Sequence, residues 1–191
     1  MLFRSSGGPT ITDKEYRLID SGNAEIALCN PKSPSNVGAV LRAAGCYGAT
    51  AVYYNGKRFE HAEKYHQDTN RVKKEIQFHA VESFMEVLKE NQTLVCVELV
   101  EGATSLPEFI HPENALYIFG PEDGSIQQSL VSAADSVVYI PTIGCMNLAA
   151  TVNVLLYDRM AKQQNTINHN ERIKKSRDSN NHLKIKPKNL R

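Results

Sequence analysis

Residues 115–124 read ALYIFGPEDG, five apolar residues that stop at once at a glycine and a proline. The apolar run does not alternate with polar residues, which is typical of a strand covered on both of its faces. Gly120 and Pro121 predict a tight exit from this strand, and Glu122 and Asp123 follow directly. The stretch therefore predicts a central strand of a buried sheet, with two carboxylates at its carboxyl end.

Strand-like and helical segments alternate on both sides of this stretch. The pattern predicts strands at 25–29, 51–54, 94–99 and 137–140, and helices at 37–47, 83–89, 126–134 and 147–161. Strands joined through helices pair in parallel. The expected fold class is α/β, a mostly parallel sheet flanked by helices.

The composition limits the class of protein. The chain has 191 residues, 41% of them hydrophobic and 23% charged, as in ordinary globular proteins. It has no apolar run of about 18 residues that would cross a membrane, and its first residues lack the apolar core of a secretory signal. We therefore expect a cytoplasmic protein. The four cysteines form no C-x-x-C pair and the six histidines are scattered, so no metal site is expected.

The charge is divided unevenly along the chain. Residues 159–191 carry ten Lys or Arg against two acidic residues, a net +8, whereas residues 1–158 carry −7. We expect a short N-terminal extension at 1–23, one domain at 24–162 and a basic tail at 163–191. The tail either binds a polyanion or is a solvated end. A second basic segment, 57–74, is either an RNA contact or a solvated connection.

Two further turns follow predicted strands, where ligands collect in open α/β sheets. The first runs from Asn30 to Asn36 and enters the helix that carries Gly38 and Arg42. Asn36 suits the N-cap of the next helix, and Arg42 is either a structural residue or one that points into an open site. The other turn runs from Ile140-Pro141 through Cys145, Met146 and Asn147 into the last helix. Neither a P-loop nor G-x-G-x-x-G is present.

Together the three turns resemble the signature motifs of the SpoU (TrmH-like) branch of the SPOUT RNA methyltransferases. The first motif corresponds to Asn30, Asn36, Gly38 and Arg42, and the second to residues 116–122. The third corresponds to residues 140–141, 146–150 and 155–158. Cys145 stands where the family commonly has serine, and Gly124 comes one residue earlier than the usual closing glycine.

The resemblance implies an enzyme that transfers a methyl group from S-adenosyl-L-methionine (AdoMet) to a ribose 2′-hydroxyl of tRNA or rRNA. It also implies a C-terminal trefoil knot and a homodimer. By position, the cofactor would lie against the residues after three strands and in the third turn: Leu99, Gly120, Ile140, Cys145 and Met146. The candidate catalytic residues are Arg42, Asn30, Asn36, Glu122 and Asn147.

The roles of these residues leave alternatives. Removing the proton of a free guanidinium at neutral pH costs roughly 7 kcal/mol, so a charged Arg42 that stabilises a developing alkoxide demands less than Arg42 as a general base. Glu122 either orients Arg42 or closes the loop of the second motif. The three asparagines either fix a ribose or cap and shape turns. The rival to an enzyme is a non-catalytic RNA-binding protein with the same fold.

Overall fold

The computed structural model describes residues 23–63, 76–163, 170, 173–174 and 177–185. Its strands are β1 (Ala24–Leu28), β2 (Ala51–Tyr54), β3 (Gln77–Ala80), β4 (Thr93–Val97), β5 (Thr104–Ser105), β6 (Ala115–Phe119) and β7 (Ser136–Tyr139). Its α-helices are α1 (Pro34–Tyr47), α2 (Arg58–Glu63), α3 (Gln128–Ala133) and α4 (Leu148–Lys162). The expected N-terminal extension, except Asn23, residues 64–74 of the second basic segment and much of the tail lie outside the described residues.

The strands form one sheet in the order β3-β2-β1-β6-β4-β7-β5, and all six strand pairs are parallel. Every residue of β1 and of β6 is buried. For β6 the unbroken apolar run at 115–119 predicts this burial. Side chains on one face of the sheet pack against α1 and α4, and those on the other face pack around Phe84 and Ile126. The α/β class with a parallel sheet is therefore confirmed.

Helix α1 begins earlier than the pattern at 37–47 predicts. Ser33 is the N-cap, because its hydroxyl accepts a hydrogen bond from the backbone N–H of Asn36 at 3.3 Å. Pro34 occupies the first turn, where its missing N–H costs nothing. The expected N-cap at Asn36 is therefore wrong, and this residue lies in the first turn with its side chain free for another contact.

The segment 83–89 is not an α-helix. Only a single 3₁₀ turn forms, Phe84–Glu86, with Phe84 buried and Met85 exposed. The chain must turn back within a few residues to begin β4, and Lys89 and Gln92 close that turn with hydrogen bonds in both directions. Strand β4 also ends at Val97 rather than at residue 99. Strands β3 and β5 and helix α2 were not predicted.

A buried polar network fastens α4 to the segment before β6. The Arg159 guanidinium, 4% exposed, donates to the carbonyls of Pro112 and Glu113 and to the Tyr117 hydroxyl. The Tyr117 hydroxyl accepts from Arg159 and keeps its own proton to donate, and His111 Nδ1 lies 2.7 Å away as an acceptor. His111 Nε2 then carries a proton and donates to Asp158 at 2.9 Å. With these hydrogen-bond directions His111 is neutral.

We expect this histidine to make stability pH-dependent. Burial lowers the pKa of His111 below 6.5, against the opposite effect of Asp158 and with help from Arg159 and Lys162. As the pH falls, His111 therefore takes up a proton in the unfolded chain before it does so in the folded chain. The free energy of unfolding should keep its full value above about pH 6.5. It should decline below that pH until the pKa of His111 in the folded chain is passed. Urea unfolding at a series of pH values should show a smaller decline for His111→Asn than for the control His79→Gln, which alters an exposed histidine. Equal declines in both variants would contradict this.

Candidate active site

The three predicted turns lie together at the edge of the sheet that is formed by the carboxyl ends of its strands. In a parallel sheet all carboxyl ends lie at the same edge. The neighbours β1, β6, β4 and β7 are followed there by Asn30, Gly120, Leu99 and Ile140, respectively. The residues expected to hold a cofactor at Leu99, Gly120 and Ile140 thus follow three adjacent strands. This convergence is what the sequence motifs require.

Glu122 connects the first and second turns. Its carboxylate accepts hydrogen bonds from the backbone N–H of Lys32 at 2.8 Å, from that of Ser33 at 3.0 Å and from Asn36 Nδ2 at 3.0 Å. Partial burial raises the pKa of Glu122, but these donors outweigh it and lower the pKa below 4.5. Glu122 therefore fastens the first turn to the second. Among the described residues, Arg42 is not one of its partners.

We expect Glu122→Gln to lower the free energy of unfolding by about 1 to 2 kcal/mol at neutral pH, because an amide nitrogen cannot accept these bonds. A carboxylate with a lowered pKa stabilises the fold above its unfolded value of about 4.5, and this contribution disappears as the pH falls through the folded value. The difference from the wild-type chain in urea should therefore shrink at acid pH. Glu101→Gln, at an exposed position, is the control and should differ little. A pH-independent difference would refute the explanation.

Asn30 is part of the scaffold under the first turn. Its φ of 40° is left-handed, and its backbone N–H donates to Asn55 Oδ1 at 2.9 Å. A Cβ at Gly56, itself at φ 76°, would collide with the Asn30 side chain. Asn30 Oδ1 is buried without a hydrogen-bond partner among the described residues. Asn30 therefore packs the turns after β1 and β2 together.

The third turn is open. Asn147 is the N-cap of α4, and its Oδ1 accepts from the Ala150 N–H at 2.7 Å. Cys145 is exposed and Met146 is half-buried. Ile143 is fully exposed, as an apolar side chain would be if a ligand covered it. Asn147 thus shapes the turn, while Ile143 faces outward.

Glu98 is a site residue that the sequence reasoning missed. Its Oε1 accepts from the Leu99 N–H at 3.0 Å and its Oε2 from the Ile126 N–H at 2.9 Å. A Cβ at Gly120 would lie only 3.1 Å from Oε2, so Gly120 lets the carboxylate approach. Glu98 therefore joins the turns after β4 and β6. Glu98 directly follows four apolar residues, which indicates a residue at the end of a strand. The predicted strand at 94–99 included Glu98, so the sequence did not place it after the strand.

Arg42 lies on the exposed side of α1. Within the described part of the chain its guanidinium makes no hydrogen bond or ion pair, so no structural partner accounts for it. It follows Asn36, which contacts Glu122, on the same helix. Arg42 is therefore available to a ligand.

A pair of cations, Lys32 and Arg58, lies beside the site. Arg58 grips Asp123 with two hydrogen bonds, Nη1 to Oδ1 at 2.8 Å and Nη2 to Oδ2 at 2.9 Å. Lys32 Nζ lies 3.4 Å from the same Oδ2. Arg58, and to a lesser extent Lys32, lowers the pKa of Asp123. This cluster was also missed, because its members are distant in sequence.

The described residues show neither a candidate metal centre nor a membrane-spanning helix. No group of three or more His, Cys, Asp or Glu side chains there is arranged to hold a metal ion. No helix in the same part of the chain combines the length and the apolar character needed to cross a bilayer.

The chain belongs to the SpoU rRNA Methylase family, whose profile matches residues 23–157. This covers the first two motifs, the third motif except Asp158, and α4 as far as Tyr157. No curated protein sequence gives a significant match.

Solved structures share the fold. The SpoU methyltransferase AviRb from Streptomyces viridochromogenes is similar at 21% identity and a TM-score of 0.61, over 73% of this chain and 59% of AviRb. AviRb has also been solved with the cofactor AdoMet. The A. aeolicus TrmH/SpoU tRNA modifying enzyme is similar at 17% identity and a TM-score of 0.60, over 75% of this chain and 77% of the enzyme. A structure concerned with 2-OH methylation of C/U34 on tRNA is similar at 22% identity and a TM-score of 0.58, over 73% and 95% of the two chains.

Proposed function

We propose that this chain is an AdoMet-dependent RNA methyltransferase that acts on a ribose 2′-hydroxyl of tRNA or rRNA. The observation that carries the proposal is the meeting of the three motif turns at one sheet edge, with Glu122 bonded across two of them. Membership of the SpoU family and the bound AdoMet of AviRb support the cofactor. The similar structure concerned with 2-OH methylation supports the ribose target.

The residues at this edge fit AdoMet. Leu99 is 78% exposed and Ile143 fully so, which leaves apolar side chains for the adenine ring. We assign cofactor binding to Leu99, Gly120, Ile140, Cys145 and Met146. When bound, AdoMet supplies an electrophilic methyl group on a sulfonium.

The chain's own residues would position the ribose and manage its charge. The ribose oxygen forms a bond to the methyl carbon, the carbon–sulfur bond breaks, and the hydroxyl proton leaves to solvent. Arg42, charged and unpaired among the described residues, would stabilise the developing negative charge on the ribose oxygen. Asn36 and Glu122 would hold the first turn in place, and Asn147 the third.

The proposal includes a trefoil knot and a homodimer. Strand β7 lies between β4 and β5, so the connection 98–103 crosses it, and α4 then returns to pack on α1. This arrangement is compatible with a C-terminal segment that passes through a loop. Val154 and Tyr157 are exposed on α4, as they would be if a second copy covered them. With tRNA or rRNA as substrate, the cytoplasm is the expected location.

Calorimetry with AdoMet and transfer of labelled methyl groups to RNA from a strain lacking the gene test this function. We expect binding, and label that resists alkaline hydrolysis at the modified linkage, because a 2′-O-methyl group blocks attack by the ribose oxygen. Label on bases would refute the ribose target. AdoMet binding without transfer to any RNA, or RNA binding without AdoMet binding, would favour the non-catalytic alternative.

A further inference from the structure

We propose that Lys32 and Arg58 form a binding site for a phosphodiester group of the RNA, and that Asp123 occupies this site in the free protein. The inference rests on the proposed RNA substrate. The three residues come from the turns after β1, β2 and β6, which are neighbours in the sheet. Two cations from separate turns therefore converge on one anion at the edge where the RNA is expected.

The geometry of this cluster is that of phosphate recognition. Arg58 presents both terminal nitrogens to the two oxygens of Asp123, at 2.8 and 2.9 Å. The same planar fork matches two oxygens of a phosphodiester. Lys32 adds a second positive charge, 3.4 Å from one of these oxygens. The two cations carry +2, so a phosphodiester of charge −1 can replace the carboxylate of equal charge.

The fold does not need the cluster. The side chains of Lys32 and Asp123 are 64% and 49% exposed, and that of Arg58 is 33% exposed. Ion pairs open to water contribute little to stability. A stabilising role is therefore a weak reason for two cations to share this carboxylate.

Asp123 differs from its neighbour Glu122 in how it is held. Glu122 accepts from two backbone N–H groups and the Asn36 amide. The hydrogen bonds of Asp123, within the described residues, go only to the Arg58 and Lys32 side chains. Its carboxylate can therefore turn away when another anion arrives, whereas that of Glu122 is fastened to the backbone.

The position of the site indicates which phosphate it would bind. The proposed cofactor contacts follow β6, β4 and β7, whereas Arg58 follows β2. Two, three and four strand spacings separate β2 from β6, β4 and β7, or roughly 10 to 19 Å at about 4.8 Å each. We infer that the cluster takes a phosphate of the RNA flanking the target nucleotide.

Fluorescence anisotropy with a labelled single-stranded RNA oligonucleotide, without any methyl donor, tests the inference. Asp123→Asn should bind about fivefold more tightly than the wild-type chain, because both cations are released. Glu60→Gln, an exposed position on α2, makes the same charge change and should alter affinity less than twofold. Arg58→Ala should bind about tenfold more weakly, with the salt slope reduced by about 0.7, whereas Lys57→Ala should lose less.

A triple variant, compared with the Arg58→Ala/Lys32→Ala double variant, isolates the link between the residues. The gain from Asp123→Asn should disappear when Arg58→Ala and Lys32→Ala are also present. The inference is overturned if Asp123→Asn and Glu60→Gln behave alike, or if Arg58→Ala and Lys57→Ala do. If these results occur while the wild-type chain binds and methylates RNA, the proposed function stands without this site. A wild-type chain that binds no RNA overturns both.

Discussion

Replacement of Arg42 by alanine is expected to lower kcat for RNA methylation by about 10²- to 10³-fold, while the affinity for AdoMet stays unchanged. The guanidinium is exposed on α1 and makes no bond within the described part of the chain, so it contributes to no internal structure there. Its loss should therefore raise the free energy of the transition state, in which negative charge develops on the ribose oxygen. Single-turnover methyl transfer, with AdoMet affinity from calorimetry, measures both quantities.

Arg42→Lys separates charge from geometry. Lysine keeps the positive charge but not the planar fork, so we expect it to restore only part of the lost kcat. Ser35→Ala, also at an exposed position of α1, is the control for general effects on this helix. Unchanged turnover in Arg42→Ala would refute the role of Arg42, and full activity in Arg42→Lys would refute a bidentate contact.

The sheet was predictable where side chains alone determine strand formation. The run at 115–119 is apolar without alternation, and β6 is accordingly buried along its whole length. Strand β3 escaped prediction because it is mostly exposed at the edge of the sheet, so its residues carry no burial pattern. Strand β5 has two residues, too few for any period. The cap of α1 was misplaced because Asn36 and Ser33 are both good caps, and Pro34 decides between them.

The site was predictable as a set of turns but not as a set of contacts. Glu122 stood out because it follows a glycine and a proline after a buried strand. Its partners Lys32 and Ser33 use backbone N–H groups, which carry no signal in the sequence. The pairing of Arg58 with Asp123 spans 65 residues and depends on the strand order, which the sequence pattern left open.

The hydrogen-bond network around Arg159 of α4 depends on the strand order in the same way. Of all the substitutions proposed, we expect Arg159→Ala to cause the largest loss in the free energy of unfolding. The guanidinium is 4% exposed and bonds to two carbonyls and the Tyr117 hydroxyl. Alanine would leave the buried Tyr117 hydroxyl without this donor and the two partly buried carbonyls unpaired, at a cost of about 3 kcal/mol or more. For a chain of this size that corresponds to a fall in Tm of about 10 °C, measurable by circular dichroism or calorimetry.

The exposed Arg42 supplies the matched control for this experiment. Arg42→Ala removes the same side chain from the other helix on that face of the sheet, and its Tm should stay close to that of the wild-type chain. Arg159→Lys keeps the charge but cannot reach both carbonyls, so it should recover only part of the loss. If Arg159→Ala unfolded at the wild-type temperature, water would have to satisfy the Pro112 and Glu113 carbonyls, and α4 would be held by its apolar face alone.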